Sequence, residues 1–339
     1  MIMDRRAVDV LAARPTGAAT LRVVALVNPA AGTAERLAPE SFREELASAF
    51  AASGVVSEVE LVPGDRLRQA AERAAERALR GEIDGVVVGG GDGSIHTVAG
   101  VLAGSGIPLG VLPLGTLNHF AKDLGIPTDV AGAIAVIATG EARAVDVAEV
   151  NGLVFVNNSS IGVYPYMVLD RERRRRLEGR AKWVAMIFAA LRTLQHFPLH
   201  RLAICAADWT EPCRTPCVFV GNNEYGLARK SFGTRERLDR GELWLWVAKP
   251  QSRLSLLWLA FRAGIGLLRQ SRDLRTFNVD AAEIVSRRKR LLVAVDGEVE
   301  TLRAPLHYRT RPGALRVFVP VQEEANPSRA GEVGSKPTD

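Results

Sequence analysis

Val86-Val87-Val88-Gly89-Gly90-Gly91-Asp92-Gly93-Ser94 decides how this chain is read. A β-branched apolar strand runs directly into glycines, one carboxylate and a hydroxyl. Glycine carries no Cβ, so the main chain can approach a phosphate and turn its N–H groups onto the oxygens. Residues 95–102 read as a helix, which makes Ser94 its expected cap and aims the positive end of the helix dipole at the same anion. Asp92 is the only charge in the turn, and an acid beside phosphates usually holds a divalent cation. Read alone, the stretch also fits a tight turn with no ligand.

Outward from it, strand and helix signals alternate. Residues 21–27 and 108–112 are apolar runs, 39–52 has helical periodicity, 59–62 reads as a short strand, and 65–80 is an Ala/Glu/Arg-rich helix. Continuous apolar strands separated by helices predict a parallel sheet covered on both faces, with ligands beyond the carboxyl ends of its strands. From about Val145 the texture changes. Segments 145–150, 154–157, 202–206, 217–220, 243–248, 291–295 and 315–319 look like strands joined by Gly/Pro turns, as in a mostly β domain with helical insertions. Residues 326–339 are polar, with a composition that favours disorder.

A chain of 339 residues, 47% hydrophobic and 24% charged, fits a soluble protein of two domains. Its net charge of +6 is concentrated at 171–182 and 287–290. Such runs serve nucleic acid, anionic headgroups or plain solvation. No nucleic-acid motif accompanies them, so nucleic acid is not an expected partner. Cys205, Cys213 and Cys217 suggest a reducing compartment without a disulfide framework, and Cys213-x3-Cys217 lacks a usual zinc-knuckle spacing. Residues 1–20 lack the apolar run of a secretory signal. The most apolar segments, 183–194 and 254–268, are interrupted by Arg192 and Arg262, and neither offers the ~20 apolar residues of a membrane span. No transmembrane segment is expected; a surface that rests on a membrane is compatible with the chain.

Four further motifs accompany the glycine turn. Asn28-Pro29-Ala30-Ala31-Gly32 follows the first strand. Pro113-Leu114-Gly115-Thr116-Leu117-Asn118 follows another and opens a helix. Gly221-Asn222-Asn223-Glu224-Tyr225-Gly226 ends a strand in the second half. Asp296-Gly297-Glu298 sits in a hairpin between 291–295 and 299–302. From spacing alone this last motif is an ordinary Asp-Gly turn.

This ordered set resembles the diacylglycerol kinase catalytic-domain family, which includes bacterial lipid kinases and sphingosine kinases, over residues 21–321. The resemblance implies an N-terminal three-layer α/β domain like that of phosphofructokinase and a second, mostly antiparallel β domain, with the cleft between them. It divides the chain into 21–144 plus 306–322 for the nucleotide and 145–305 for the lipid, with 1–20 and 323–339 as flexible termini. It implies that Asn28 and Gly32 border ATP, that Gly90, Gly91, Asp92, Gly93 and Ser94 cradle its phosphates, that Thr116 touches the nucleotide, and that Asn118 shapes the pocket. Asp92 would hold the catalytic Mg²⁺. Asp296 and Glu298 would lie by the attacking hydroxyl, one of them as the base. The implied reaction is transfer of the γ-phosphoryl group to the hydroxyl of a membrane lipid such as diacylglycerol, by a cytoplasmic protein peripherally associated with the membrane. A homodimer is neither marked nor excluded.

Two departures stand out. His119 takes a place where many relatives carry aspartate, which leaves the metal shell open; local hydrogen bonding is its expected role. Arg240 stands where relatives often have an aspartate of a structural Mg²⁺ site, and a guanidinium cannot ligate a cation. It is expected to pair with a nearby acid. Two other functions remain compatible with the residues. One is an NAD kinase, which shares the Gly-Gly-Asp-Gly turn and an Asn-Glu pair that Asn223-Glu224 would mimic. The other is a catalytically inactive nucleotide- or lipid-binding regulator.

Overall fold

The structure, a computed structural model, describes residues 20–32, 39–175, 199–207, 209–226, 233–249 and 274–321, and side chains in the helix ending at 175 as far as 169. The first half runs β1 (Leu21–Val27), α1 (Pro39–Ala52), β2 (Val55–Leu61), α2 (Leu67–Leu79), β3 (Gly85–Gly90), α3 (Asp92–Leu102), β4 (Pro108–Pro113), α4 (His119–Asp123) and α5 (Val130–Thr139). Strands β2, β1, β3 and β4 pair in parallel in that order. Every residue of β3 and β4 is buried, because α2 and α3 pack together over the sheet and α1 packs with α5. A parallel sheet clothed in this way needs strands that are apolar throughout. The edge strand β2 begins at Val55, four residues before the predicted start, since its alternating, half-exposed pattern hides it from an apolar-run reading.

The second half comprises β5 (Glu141–Val150), β6 (Leu153–Phe155), β7 (Asn158–Gly162), α6 (Val163–Arg175), β8 (His200–Ala206), β9 (Trp209–Thr215), β10 (Cys217–Asn222), β11 (Leu243–Ala248), β12 (Leu274–Val279), β13 (Ala281–Ser286), β14 (Arg290–Val295), β15 (Glu298–Arg303) and β16 (Leu306–Val319). Six of these form an antiparallel sheet in the order β12-β11-β10-β7-β14-β15. The first sheet meanwhile continues from β4 through β16 to β13, β8 and β9. The two layers face each other across a second core, where Phe155, Ile204, Ile284 and Tyr308 meet Ile161, Val220, Leu245 and Val293. The architecture is therefore mixed α/β, with a parallel sheet and a separate antiparallel one.

β16 joins the halves. It pairs with β5 along most of its length, lies parallel to β4 at Arg316 and Val317, and lies antiparallel to β13 from Leu306 to Arg309. A register shift between Arg311 and Leu315 bends it at Pro312-Gly313, as bulges do where a strand changes direction. The side chains of the basic run at 171–182, the apolar segments 183–194 and 254–268, and segments 1–19 and 322–339 lie outside the described residues.

Candidate active site

The loops after β1, β3 and β4 meet at the carboxyl edge of the parallel sheet. Asn28 N–H donates to the Gly89 carbonyl at 2.8 Å and Leu114 N–H to the Gly90 carbonyl at 3.0 Å. Asn28 Oδ1 accepts from Ala30 N at 3.0 Å, which closes its own loop, while its Nδ2 reaches Ser94 Oγ at 3.3 Å. A Cβ on Gly32 would stand 2.7 Å from the Leu114 carbonyl oxygen, so this loop leans on the one after β4.

The helix begins earlier than predicted. α3 starts at Asp92, its cap is the extended Gly91, and no side chain caps it. Ser94 is thus the third helical residue and not the cap; its hydroxyl meets Asn28. The strand-to-helix reversal needs no spacer because Gly90 sits where a side chain would collide with the first turn of α3. A Cβ on Gly90 would be 2.5 Å from Ser94, and one on Gly115 would be 2.5 Å from Gly91 Cα. Two glycine loops therefore lie main chain against main chain. The first N–H groups of α3, unpaired within the helix, open at this place.

Asp92, half-buried, accepts one long bond at Oδ1, from Phe120 N at 3.4 Å. Asn118 adopts the left-handed conformation (φ 51°, ψ 47°), is buried, and donates to the Pro113 and Gly115 carbonyls at 3.0 and 2.9 Å. Its Oδ1 is buried with no partner. Thr116 and His119 are exposed on the same loop and at the first position of α4.

Asp296 and Gly297 form the two-residue turn between β14 and β15, with φ of 47° and 91°. Both are left-handed, as a tight turn matched to strand twist requires. The Asp296 side chain is 0% exposed. Its Oδ1 accepts from Asn157 N and Asn158 N at 2.8 and 2.9 Å, and its Oδ2 from Val156 N at 2.8 Å. Oδ2 also lies 2.9 Å from His96 Nδ1, a side chain on α3 one turn beyond Asp92. The acidic turn and the glycine turn are thereby joined. Glu298 is exposed, and its Oε1 would be 3.2 Å from a Cβ on Gly93. Beside His96 and Glu298 opens a cleft of about 330 Å³ lined also by Asp65, Arg68, Leu153 and Glu300; residues 89–94 of the glycine turn are not in its lining. Burial acts to lower the His96 pKa, but the Asp296 hydrogen bond and the charges of Asp296 and Glu298 outweigh it, and the net shift is upward.

Sequence reasoning missed His96, Asp123 and Arg235. His96 lies at i+4 from Asp92, on the same helix face, a visible spacing with no visible partner. Arg235 is enclosed and bonds Asp123 Oδ2 at 2.8 Å, the Val156 and Asn222 carbonyls at 2.6 and 3.0 Å, and Asn157 Oδ1 at 2.8 Å. Segment 156–158 is thus held by Asp296 through its N–H groups and by Arg235 through its oxygens. Arg240 pairs with Glu224 at 2.7 Å and donates its N–H to Asn223 Oδ1 at 3.0 Å. Asn223 and Glu224 are committed to that guanidinium and its backbone.

Among the described residues no cluster of three or more His, Cys, Asp or Glu could hold a metal. Mg²⁺ more often keeps its waters and takes one or two carboxylates together with substrate phosphates. Asp92, lightly engaged at the glycine turn, fits that kind of shared site.

A glycine turn is thus bridged through α3 to an acidic hairpin on a two-sheet α/β scaffold. The "Diacylglycerol kinase catalytic domain" family matches residues 22–150. A Pseudomonas aeruginosa protein named "Probable lipid kinase YegS-like" is 31% identical over 258 residues, covering 74% of this chain and 81% of that protein. A Synechocystis sp. protein named "Uncharacterized protein sll0036" is 28% identical over 262 residues, 76% of this chain but 59% of its own length. The crystal structure of a diacylglycerol kinase from Bacillus anthracis superposes with a TM-score of 0.63 at 22% identity, covering 91% of this chain and 97% of that one, and so shares the fold. The chain belongs to the diacylglycerol kinase catalytic-domain family and is by class a lipid kinase.

Proposed function

We propose that this protein transfers the γ-phosphoryl group of ATP to a hydroxyl of a membrane lipid such as diacylglycerol, working with Mg²⁺ from the cytoplasmic surface of a membrane. The observation that carries the reading is the His96–Asp296 bond of 2.9 Å, which ties α3, the helix that opens at the glycine turn, to the acidic turn. Asn28, Gly32, Gly90, Gly91, Gly93, Ser94, Thr116 and Asn118 form the nucleotide side. Gly90 and Gly115 leave no room for side chains, which supports a reading in which main-chain N–H groups of this turn meet the phosphates. Asp92 is the residue that would hold Mg²⁺. Bound Mg²⁺ supplies neutralisation of the charge on the transferring phosphates.

Residues 21–144 with 306–322 serve the nucleotide and residues 145–305 serve the lipid. Positioning accounts for most of the catalysis in such a transfer. Asp296 and Glu298 stand at the acceptor end, and of the two Glu298 is the open one while Asp296 acts through what it holds. Peripheral association draws support from α6, where Tyr164, Tyr166 and Met167 are 42%, 44% and 55% exposed. That helix packs on β14, whose entry turn carries exposed Arg287, Arg288, Lys289 and Arg290. Among the described residues no helix is long and apolar enough to cross a membrane.

The test is direct. Purified protein incubated with γ-labelled ATP, Mg²⁺ and diacylglycerol vesicles is expected to yield labelled, organic-extractable phospholipid, and Asp92→Ala to remove it. Absence of label across glycerol, sphingoid and prenyl alcohols would end the proposal.

A further inference from the structure

A hydroxyl that attacks phosphorus must lose its proton, and the two carboxylates of the acidic turn differ in what they can accept. Asp296 has none of its side chain exposed, and both oxygens are already shared among three main-chain N–H groups and His96. Main-chain donors cannot rotate away, so protonating this carboxylate would leave buried N–H groups without acceptors. What Asp296 does is orient His96. With Nδ1–H given to Asp296, the imidazole keeps its lone pair on Nε2. The ring is 14% exposed and lines the cleft beside Glu298. Nε2 has no partner among the described residues, and it is not among the buried polar atoms that lack one.

We infer that His96 Nε2, fixed in this tautomer by Asp296, accepts the proton of the lipid hydroxyl as phosphoryl transfer proceeds. The inference rests on the lipid kinase reading above. In the step, the acceptor O–H bond breaks and its proton passes to Nε2. The oxygen's electron pair forms the bond to the γ-phosphorus, and the bond from that phosphorus to the β–γ bridging oxygen breaks, its pair leaving with the nucleoside diphosphate. The resulting imidazolium lies against Asp296 and near Glu298. Asp65 and Glu300 line the same cleft, and Arg68, reaching in from α2, opposes the positive charge. The upward displacement of the His96 pKa agrees with a site built to carry that cation.

The experiment compares wild type, His96→Asn and Glu298→Gln at saturating ATP and diacylglycerol vesicles between about pH 5 and 9. An asparagine amide can still donate to Asp296, so the bridge between the turns survives, yet it has no basic nitrogen. His96→Asn is expected to lower kcat on the order of 10²–10⁴-fold and to abolish the acidic limb of the pH–rate profile. Affinity for a non-hydrolysable ATP analogue should stay within about twofold, which a merely structural defect in this bridge would not allow. Nitrogen NMR of the wild-type ring should show Nδ1 protonated and Nε2 bare at neutral pH. The inference fails if His96→Asn stays within about threefold of wild type, or if the acidic limb survives it and vanishes in Glu298→Gln instead. Wild type inactive on every lipid would overturn the kinase reading and the base with it; active wild type beside active His96→Asn overturns the base alone.

Discussion

Arg235 holds more of the site together than any residue the sequence advertises. Its guanidinium joins Asp123 on α4 to the main chain of segment 156–158 and to the end of β10, with the Tyr225 ring 5.1 Å beneath it. Removing one partner of an enclosed ion pair leaves the other uncompensated, at a cost of about 3–5 kcal/mol. Arg235→Met should therefore lose about that much stability in denaturant unfolding. Arg235→Lys should recover little of it, since an ammonium cannot span acceptors laid out for a planar fork. His200 carries a pH dependence of known sign. It is buried, its Nε2 has no partner, and both burial and Arg288 lower its pKa. Its contribution to stability is present above the unfolded value near 6.5 and is lost as pH falls toward the folded one. His96 is raised, so its contribution runs the other way: full below the unfolded value and lost as pH rises through the folded one. Melting curves across this range should show His200→Gln gaining on wild type on the acid side; a variant that loses ground there would contradict the assignment.

Among the elements, the two glycine loops at the sheet edge are the ones to which the proposed function gives the nucleotide. Gly115 has room for no side chain, because a Cβ would meet Gly91 Cα at 2.5 Å and Asn118 Oδ1 at 2.8 Å. Gly115→Ala should force the loops apart, at about 1–3 kcal/mol of strain, and weaken nucleotide binding tenfold or more by calorimetry. The strands of this half were legible because burial on both faces demands unbroken apolar runs, as in β3 and β4. The start of α3 was misread because serine is a common cap and glycine an unobtrusive one. Edge strands were hardest to see. β9 alternates exposed and half-buried positions and includes Pro212, tolerated where a missing N–H faces no partner. His96 and Arg235 were illegible for a different reason: their partners lie 200 and 112 positions away, and one sequence carries no sign of such pairing.

For the whole molecule, charge and apolar exposure fall together. The exposed aromatic and methionine side chains at the start of α6 and the basic turn before β14 lie on a helix and a strand that pack together. Each basic residue near an anionic surface is worth on the order of 1 kcal/mol. Sedimentation with phosphatidylglycerol vesicles should thus weaken steeply with salt. It should fall further when Arg287, Arg288 and Lys289 become Ser, while turnover on short-chain soluble diacylglycerol stays intact; binding indifferent to both would remove the support from this surface. At this scale the presence of both a parallel and an antiparallel part was readable from the change in strand pattern along the chain. The return of the last strand to the first half came only from the family resemblance, and the extension of that sheet to β13, β8 and β9 was not legible, because the partners of those strands are distant in sequence. β16 also sets an order of events during synthesis. The open flank of β4 waits for Arg316 and Val317, which leave the ribosome only after every other described strand. Until then the nascent parallel sheet keeps an uncovered apolar border, exposed to chaperones and to stray β-pairing alike.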